Sequence, residues 1–146
     1  MTEENAENMR AVSGRISRKI VPHVRVGRER WTPRAKRYRA DQDAIEEHVR
    51  GVFDRAEVGQ CPAPYRVIVD AYFAPAKSTG KIPKTAGDID NVAKAILDAL
   101  QRAGCTPDDC HLESLVARKA LAESDYVDWL VYWHEDEGGS DAFSKA

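Results

Sequence analysis

Four aspartates bracket one short stretch of the chain. Gly87 to Glu113 reads GDIDNVAKAILDALQRAGCTPDDCHLE, with Asp88 and Asp90 near its start and Asp108 and Asp109 near its end. Carboxylates are the donors that hard divalent cations such as Mg2+ and Mn2+ select, and Mg2+ in particular keeps several bound waters. One reading is that Asp88, Asp90 and Asp109 converge on a single cation. Lys94 follows Asp90 by one helical turn, so its ammonium stands beside the carboxylates, where it can hold a phosphate or steady an attacking water. The same residues also have an ordinary reading. Asp88 is a good helix N-cap, and acids in a first turn suit the helix dipole. Asp90, Lys94 and Asp98 can make a solvated ladder. Pro107-Asp108-Asp109 is turn chemistry. On spacing alone, caps and ladders are the commoner outcome.

The stretch between the aspartates is a helix by its pattern. Ile89, Val92, Ala93, Ile96, Leu97 and Leu100 recur at helical spacing and define a core face. Asp90, Asn91, Lys94, Asp98 and Gln101 fall opposite. Gly104 stands where a glycine closes a helix, and Pro107 forbids easy continuation.

Charge adds a second signal. The sum over 22 basic and 24 acidic residues is −2, which looks wrong for a nucleic-acid enzyme. The distribution says otherwise. Arg10, Arg15, Arg18, Lys19, Arg25, Arg28, Arg30, Arg34, Lys36, Arg37 and Arg39 follow one another with only Glu29 among them. The acids gather at the two ends. Arg25, Arg28, Arg30, Arg34 and Arg37 are candidates for gripping DNA phosphates. Trp31 among them can stack on an exposed base or pack on the sheet, and packing is the reading we adopt. Lys77, Lys81 and Lys84 lie in the loop that leads to Asp88 and can close over a phosphate backbone.

The ordered set Asp88-Ile89-Asp90-Asn91-x-x-Lys94, then Asp98-Ala99-Leu100, then Asp108-Asp109, resembles the signature of the RusA-type Holliday junction resolvases. The pattern is D-x-D-N-x-x-K, D-A-L, and D-D before a strand, and the offset from Asp90 to Asp109 is also that of the family. The resemblance extends loosely to Val21-Pro22-His23-Val24-Arg25 and Trp31-Thr32-Pro33. It covers roughly Ile16 to Glu135. It implies a small homodimeric endodeoxyribonuclease, common in phages and prophages, that uses Mg2+, or Mn2+ in its place, to cut branched DNA. It implies that Asp88, Asp90 and Asp109 are catalytic metal ligands, with Lys94 as a catalytic or phosphate-contacting lysine. Such an enzyme would cut the two equivalent strands of a four-way junction as a pair.

The elements that must position these residues follow from pattern. At 146 residues the chain suits one domain. We expect an acidic tail over 1–12, a nuclease domain over 13–135 and a second tail over 136–146. A first strand is expected from Ile16 to Val26, with Pro22 at an edge or bulge. Thr32-Pro33 starts a helix that runs to near Asp54. Tyr65 to Phe73 alternates and reads as a strand. Ala74 to Ala86 reads as a flexible loop. His111 to Leu121 and Tyr126 to His134 read as two more strands, the last apolar on both faces and so central or part of a dimer contact. This order, β-α-β-α-β-β, is an α+β domain with a small mixed sheet and two helices, the arrangement that the RusA resemblance also implies. Cys61, Cys105 and Cys110 make no paired motif and read as spare thiols of a reducing compartment. No apolar run suits a membrane span and the first residues do not read as a signal peptide, so we expect a protein of the bacterial cytoplasm, with phage origin possible.

Overall fold

The computed structural model describes residues 8–24 and 32–135. Four strands form one mixed sheet: β1 (Met9–Ile16), β2 (Tyr65–Phe73), β3 (Leu112–Leu121) and β4 (Tyr126–His134). Their spatial order is β1-β4-β2-β3. β4 runs antiparallel to both neighbours, and β2 runs parallel to β3. Parallel strands need a crossover, and helix α2 (Ile89–Arg102) supplies it between β2 and β3. Helix α1 (Pro33–Arg55) lies beside α2. The architecture is the expected α+β domain.

Both helices cover one face of the sheet. Val67, Val69, Ala71 and Phe73 of β2 and Val127, Trp129, Val131 and Trp133 of β4 point into that core. They meet Ile45, Val49 and Phe53 of α1 and Val92, Ala95, Ile96, Ala99 and Leu100 of α2. β4 was expected to be buried on both sides. Its alternate residues Tyr126, Asp128, Leu130, Tyr132 and His134 are only half covered, because among the described residues no helix packs on that side.

Local chemistry sets the ends of both helices. Thr32 Oγ1 accepts the Ala35 N–H at 3.1 Å, and Pro33 opens the first turn of α1. At the far end of α2, Gly104 has φ +75. Cys105 N–H bonds to Leu100 O at 2.9 Å and Gly104 N–H to Gln101 O at 3.0 Å. This paired closure needs a left-handed residue, which glycine supplies without steric cost.

The first strand is earlier than expected. It occupies Met9–Ile16 rather than Ile16 to Val26, so residues 9–12 belong to the sheet and not to a tail. Beyond Ile16 the chain leaves the sheet as an extended segment. Pro22 there has no N–H for a ladder. Ile20 and Val24 are nonetheless buried.

One buried hydrogen bond carries a pH dependence. The Trp129 indole N–H donates to His48 Nε2 at 2.9 Å, so that nitrogen must be unprotonated. Burial, then the charges of Arg55 and Arg18, hold the His48 pKa below its ordinary value. A depressed pKa means that the contribution is complete above the unfolded value near 6.5 and is lost as pH falls through the folded one. The urea midpoint is therefore expected to drop as pH is lowered below about 6.5. His23 is shifted in the same direction and adds to the loss. His48→Gln should shrink the pH dependence. An equally steep dependence in that variant would exclude His48 as its source.

Candidate active site

The carboxylates of interest stand around α2. Asp88 takes the N-cap position of that helix, yet its side chain makes no capping hydrogen bond. Asp90 lies in the first turn, and its Oδ1 accepts the adjacent Asn91 N–H at 3.0 Å. Both aspartates and Lys94 are exposed. Among the described residues no ion pair joins Lys94 to Asp90 or Asp98. The cap and the ladder of the ordinary reading are thus not made by these side chains.

Asp88 is placed by its neighbours in the chain and across it. Gly87 has φ +83 and ψ 171, a conformation open in practice only to glycine. A Cβ there would meet Pro22 Cγ at 2.5 Å. The Gly87 carbonyl accepts from Lys119 Nζ at 2.7 Å, and the His23 N–H donates to Asn91 O at 3.0 Å. The segment around Pro22 and His23 therefore lies across the mouth of α2 and fixes the entry of Asp88. Gly87→Ala is expected to cost roughly 1–3 kcal/mol in backbone strain before the clash with Pro22 is counted. Thermal melting would register it, and a midpoint equal to wild type would contradict this account.

Asp109 lies past the other end of the helix, in a short 3-10 turn (Asp109–His111) that leads into β3. Asp108 Oδ1 accepts the Cys110 N–H at 3.1 Å, so its carboxylate is engaged in the turn. That bond is the largest reason why the Asp108 pKa is lowered. The hydrogen bond with Asp108 pushes the Asp109 carboxyl upward, and the Asp108 and Asp98 charges add to it. Lys94 opposes the rise, so its ammonium is felt at Asp109.

One chain does not bring the three expected ligands together. Asp88 and Asp90 stand at one end of a helix of 14 residues, about 20 Å long at 1.5 Å per residue, and Asp109 follows its other end. Among the described residues no group of three His, Cys, Asp or Glu side chains is placed to hold a metal ion.

Two residues outside the candidate site set, His23 and Tyr38, meet Asp98 on the polar stripe of α2. Tyr38 O–H donates to Asp98 Oδ2 at 3.3 Å, and His23 Nε2 is 3.7 Å from the same oxygen. The His23 and Tyr38 rings meet edge to face. Burial, then Asp98, raises the Tyr38 pKa, so its hydroxyl stays protonated and remains a donor. Asp98 belongs to the D-A-L signature, which was the one available signal. The contact with Tyr38 spans 60 residues of sequence and is invisible to periodicity.

The basic residues divide. Arg34 and Arg37 are exposed on the first turns of α1, flanking buried Tyr38 and hence near the α2 stripe. Arg25, Arg28, Arg30 and Trp31 lie outside the described residues. Lys77, Lys81 and Lys84 are exposed in the loop before Asp88. That loop was expected to be flexible, yet it folds on itself. Gly80 N–H bonds to Ala76 O at 2.7 Å, Ala76 N–H bonds to Lys81 O at 2.8 Å, and buried Ala86 anchors its end.

Comparison with known families decides the kinship. The model of the family described as endodeoxyribonuclease RusA matches residues 19–127, most of the chain. The chain belongs to the RusA family. A direct comparison with curated proteins gives no match. The RusA match spans Pro22, Arg34, Arg37, Gly87, Asp88, Asp90, Lys94, Asp108 and Asp109. It ends at Val127, inside β4, and starts after β1. Membership makes the chain an endodeoxyribonuclease, an enzyme that cuts DNA within a strand. Among the described residues no helix is long and apolar enough to cross a membrane.

Proposed function

We propose that this RusA-family protein is a metal-dependent, structure-selective endonuclease that resolves four-way DNA junctions as a homodimer. The observation that carries the reading is the family's acidic motif at the mouth of α2, with Asp88 exposed and not spent on capping. Mg2+ is the cofactor proposed, with Mn2+ as a substitute. Cytoplasmic location, in a bacterium or encoded by a phage, goes with that reading.

Among the described residues of one chain, no three carboxylates are placed to hold a cation. Two chains are another matter. If two α2 helices lie side by side and run in opposite directions, Asp88 and Asp90 of one copy come beside Asp109 of the other, twice. A two-fold axis produces that arrangement automatically and gives two equivalent sites for two equivalent strands. When bound there, a divalent cation would neutralise a phosphodiester oxygen and lower the pKa of a water.

The remaining roles belong to the chain's own side chains. Lys94 sits where its ammonium acts on Asp109, and it can hold the phosphate being cut. Arg34, Arg37, Lys77, Lys81 and Lys84 are exposed cations that can track phosphates. Arg25, Arg28 and Arg30 carry the same expectation from their sequence. Recognition by backbone contacts suits a substrate defined by its shape.

The test is cleavage of matched substrates with Mg2+ or Mn2+. A synthetic four-way junction should be cut in paired strands, leaving 5′-phosphate and 3′-hydroxyl ends, and linear duplex should survive. Equal cutting of flaps or single strands would make the protein a general nuclease on branched or single-stranded DNA. An intact junction would leave only a DNA-binding module.

A further inference from the structure

The four strands carry five arginine or lysine side chains: Arg10 and Arg15 on β1, Arg66 on β2, and Arg118 and Lys119 on β3. Each of the four arginines meets a carboxylate. Arg10 lies 3.1 Å from Glu135, Arg15 2.7 Å from Asp128, Arg66 2.9 Å from Glu113 and Arg118 2.7 Å from Asp70. Lys119 is the exception. Among the described residues no ion pair includes it.

Its place in the sheet makes that exception informative. Lys119 pairs with Ala71 of β2, a core residue 1 % exposed, so its side chain leaves the sheet on the side that α2 covers. It is half-buried there. An ammonium drawn partly out of water is normally matched by an acid. The partner it has is neutral: Nζ donates to the Gly87 carbonyl at 2.7 Å. That carbonyl belongs to the peptide that enters Asp88. The charge therefore stands at the mouth of α2, one peptide from the acidic motif, and neither Asp88 nor Asp90 neutralises it. A lysine ammonium has three donors, and the carbonyl takes one.

We infer that Lys119 is a second catalytic lysine of this site, its ammonium holding the DNA phosphodiester that is cut. The inference rests on the nuclease reading above and adds a residue to that site. Tying down one carbonyl calls for a donor but not for a charge. Resting the ammonium on a neutral oxygen leaves Asp88 and Asp90 free for a cation and leaves the ammonium free for an anion. In the hydrolysis, the oxygen of water bonds to phosphorus as the bond to the 3′-oxygen breaks. The departing oxygen takes the electron pair and a proton that solvent carries from that water. Negative charge builds on the non-bridging oxygens meanwhile, and a fixed ammonium beside them offsets it. Lys119 keeps its own proton throughout.

Lys119→Met keeps the stem and removes the charge. Binding of a synthetic four-way junction without divalent metal, across a salt series, reads the phosphate contact. The slope of log K against log salt should flatten by about one. Lys119→Arg should restore it. Arg118→Met, which removes the adjacent charge from the opposite face, should leave it unchanged. Single-turnover cleavage with Mg2+ at saturating protein should fall roughly 100-fold in Lys119→Met, as for loss of one preorganised donor. A lower melting midpoint with slope and rate as in wild type means that Lys119 only braces Gly87, and overturns the inference. So does an equal loss of slope in Arg118→Met. If Lys119→Met fails to fold, amine acylation of wild type mapped by mass spectrometry decides. The junction should protect Lys119, and labelling equally fast with and without it overturns the inference. The two readings fail separately. A junction that wild type never cuts, with the slope still flattened in Lys119→Met, removes the nuclease reading and keeps the phosphate contact. A junction cut equally well by wild type and Lys119→Met removes the role of Lys119 alone.

Discussion

Replacing Asp90 by Asn is expected to abolish junction cutting while junction binding persists. The substitution keeps shape and removes charge. An amide oxygen can still accept the Asn91 N–H that Asp90 Oδ1 now accepts at 3.0 Å, so the first turn of α2 should not change. Asp90 is exposed and contributes nothing to the core. What disappears is an anionic donor for a hard cation. Loss of groups that merely support a metal ligand costs 10- to 100-fold, so loss of a direct ligand should cost more than about 100-fold in cleavage rate. Binding should hold or tighten slightly, because one negative charge facing DNA phosphates has gone. Gel-shift and single-turnover cleavage on the same junction separate the two quantities. If Asp90→Asn cuts within a few-fold of wild type, the catalytic assignment of the motif fails.

The sequence was most readable where local rules decide. α2 carries a strong apolar stripe and a glycine closure, and both its limits and its buried face agree with the pattern. β2 alternates, and the limits of β2 and β4 agree to the residue, whereas β4 was read as apolar on both faces and is covered on one. β1 did not show itself for a physical reason. Its core-facing positions include Arg10 and Gly14, which break the apolar alternation. Gly14 lies under the Trp129 ring, where a Cβ would come within 2.9 Å, so the bulk that a strand normally offers is supplied by its neighbour. Pro22 above Gly87 and Tyr38 against Asp98 are contacts between distant parts of the chain, and no window of sequence contains them. The acidic site was half legible. Its residue types were plain. That Asp88 and Asp109 stand at opposite ends of one helix follows from the length of α2, and the crossover then fixes which end meets β3.

Reversing the charge of Arg34 and Arg37 to Glu should have opposite effects on the fold and on DNA. The two residues sit in the opening turns of α1, where no acid is present in the first turn. Unpaired helix N–H groups there carry partial positive charge, so arginines are poorly placed for stability and glutamates are well placed. The exchange at Arg34, in the first turn, should add about 0.3–1 kcal/mol at low salt, and the one at Arg37, a turn further in, less. The melting midpoint is thus expected to rise or stay level. Junction affinity should fall, because two phosphate contacts are replaced by repulsion, and the slope of log K against log salt should flatten by about two. A purely structural role for these arginines predicts the first effect without the second. Arginines held at an unfavourable helix end are readily explained if the phosphate chain they meet outweighs the dipole they oppose. An unchanged salt slope with a raised midpoint would take the start of α1 out of the DNA interface.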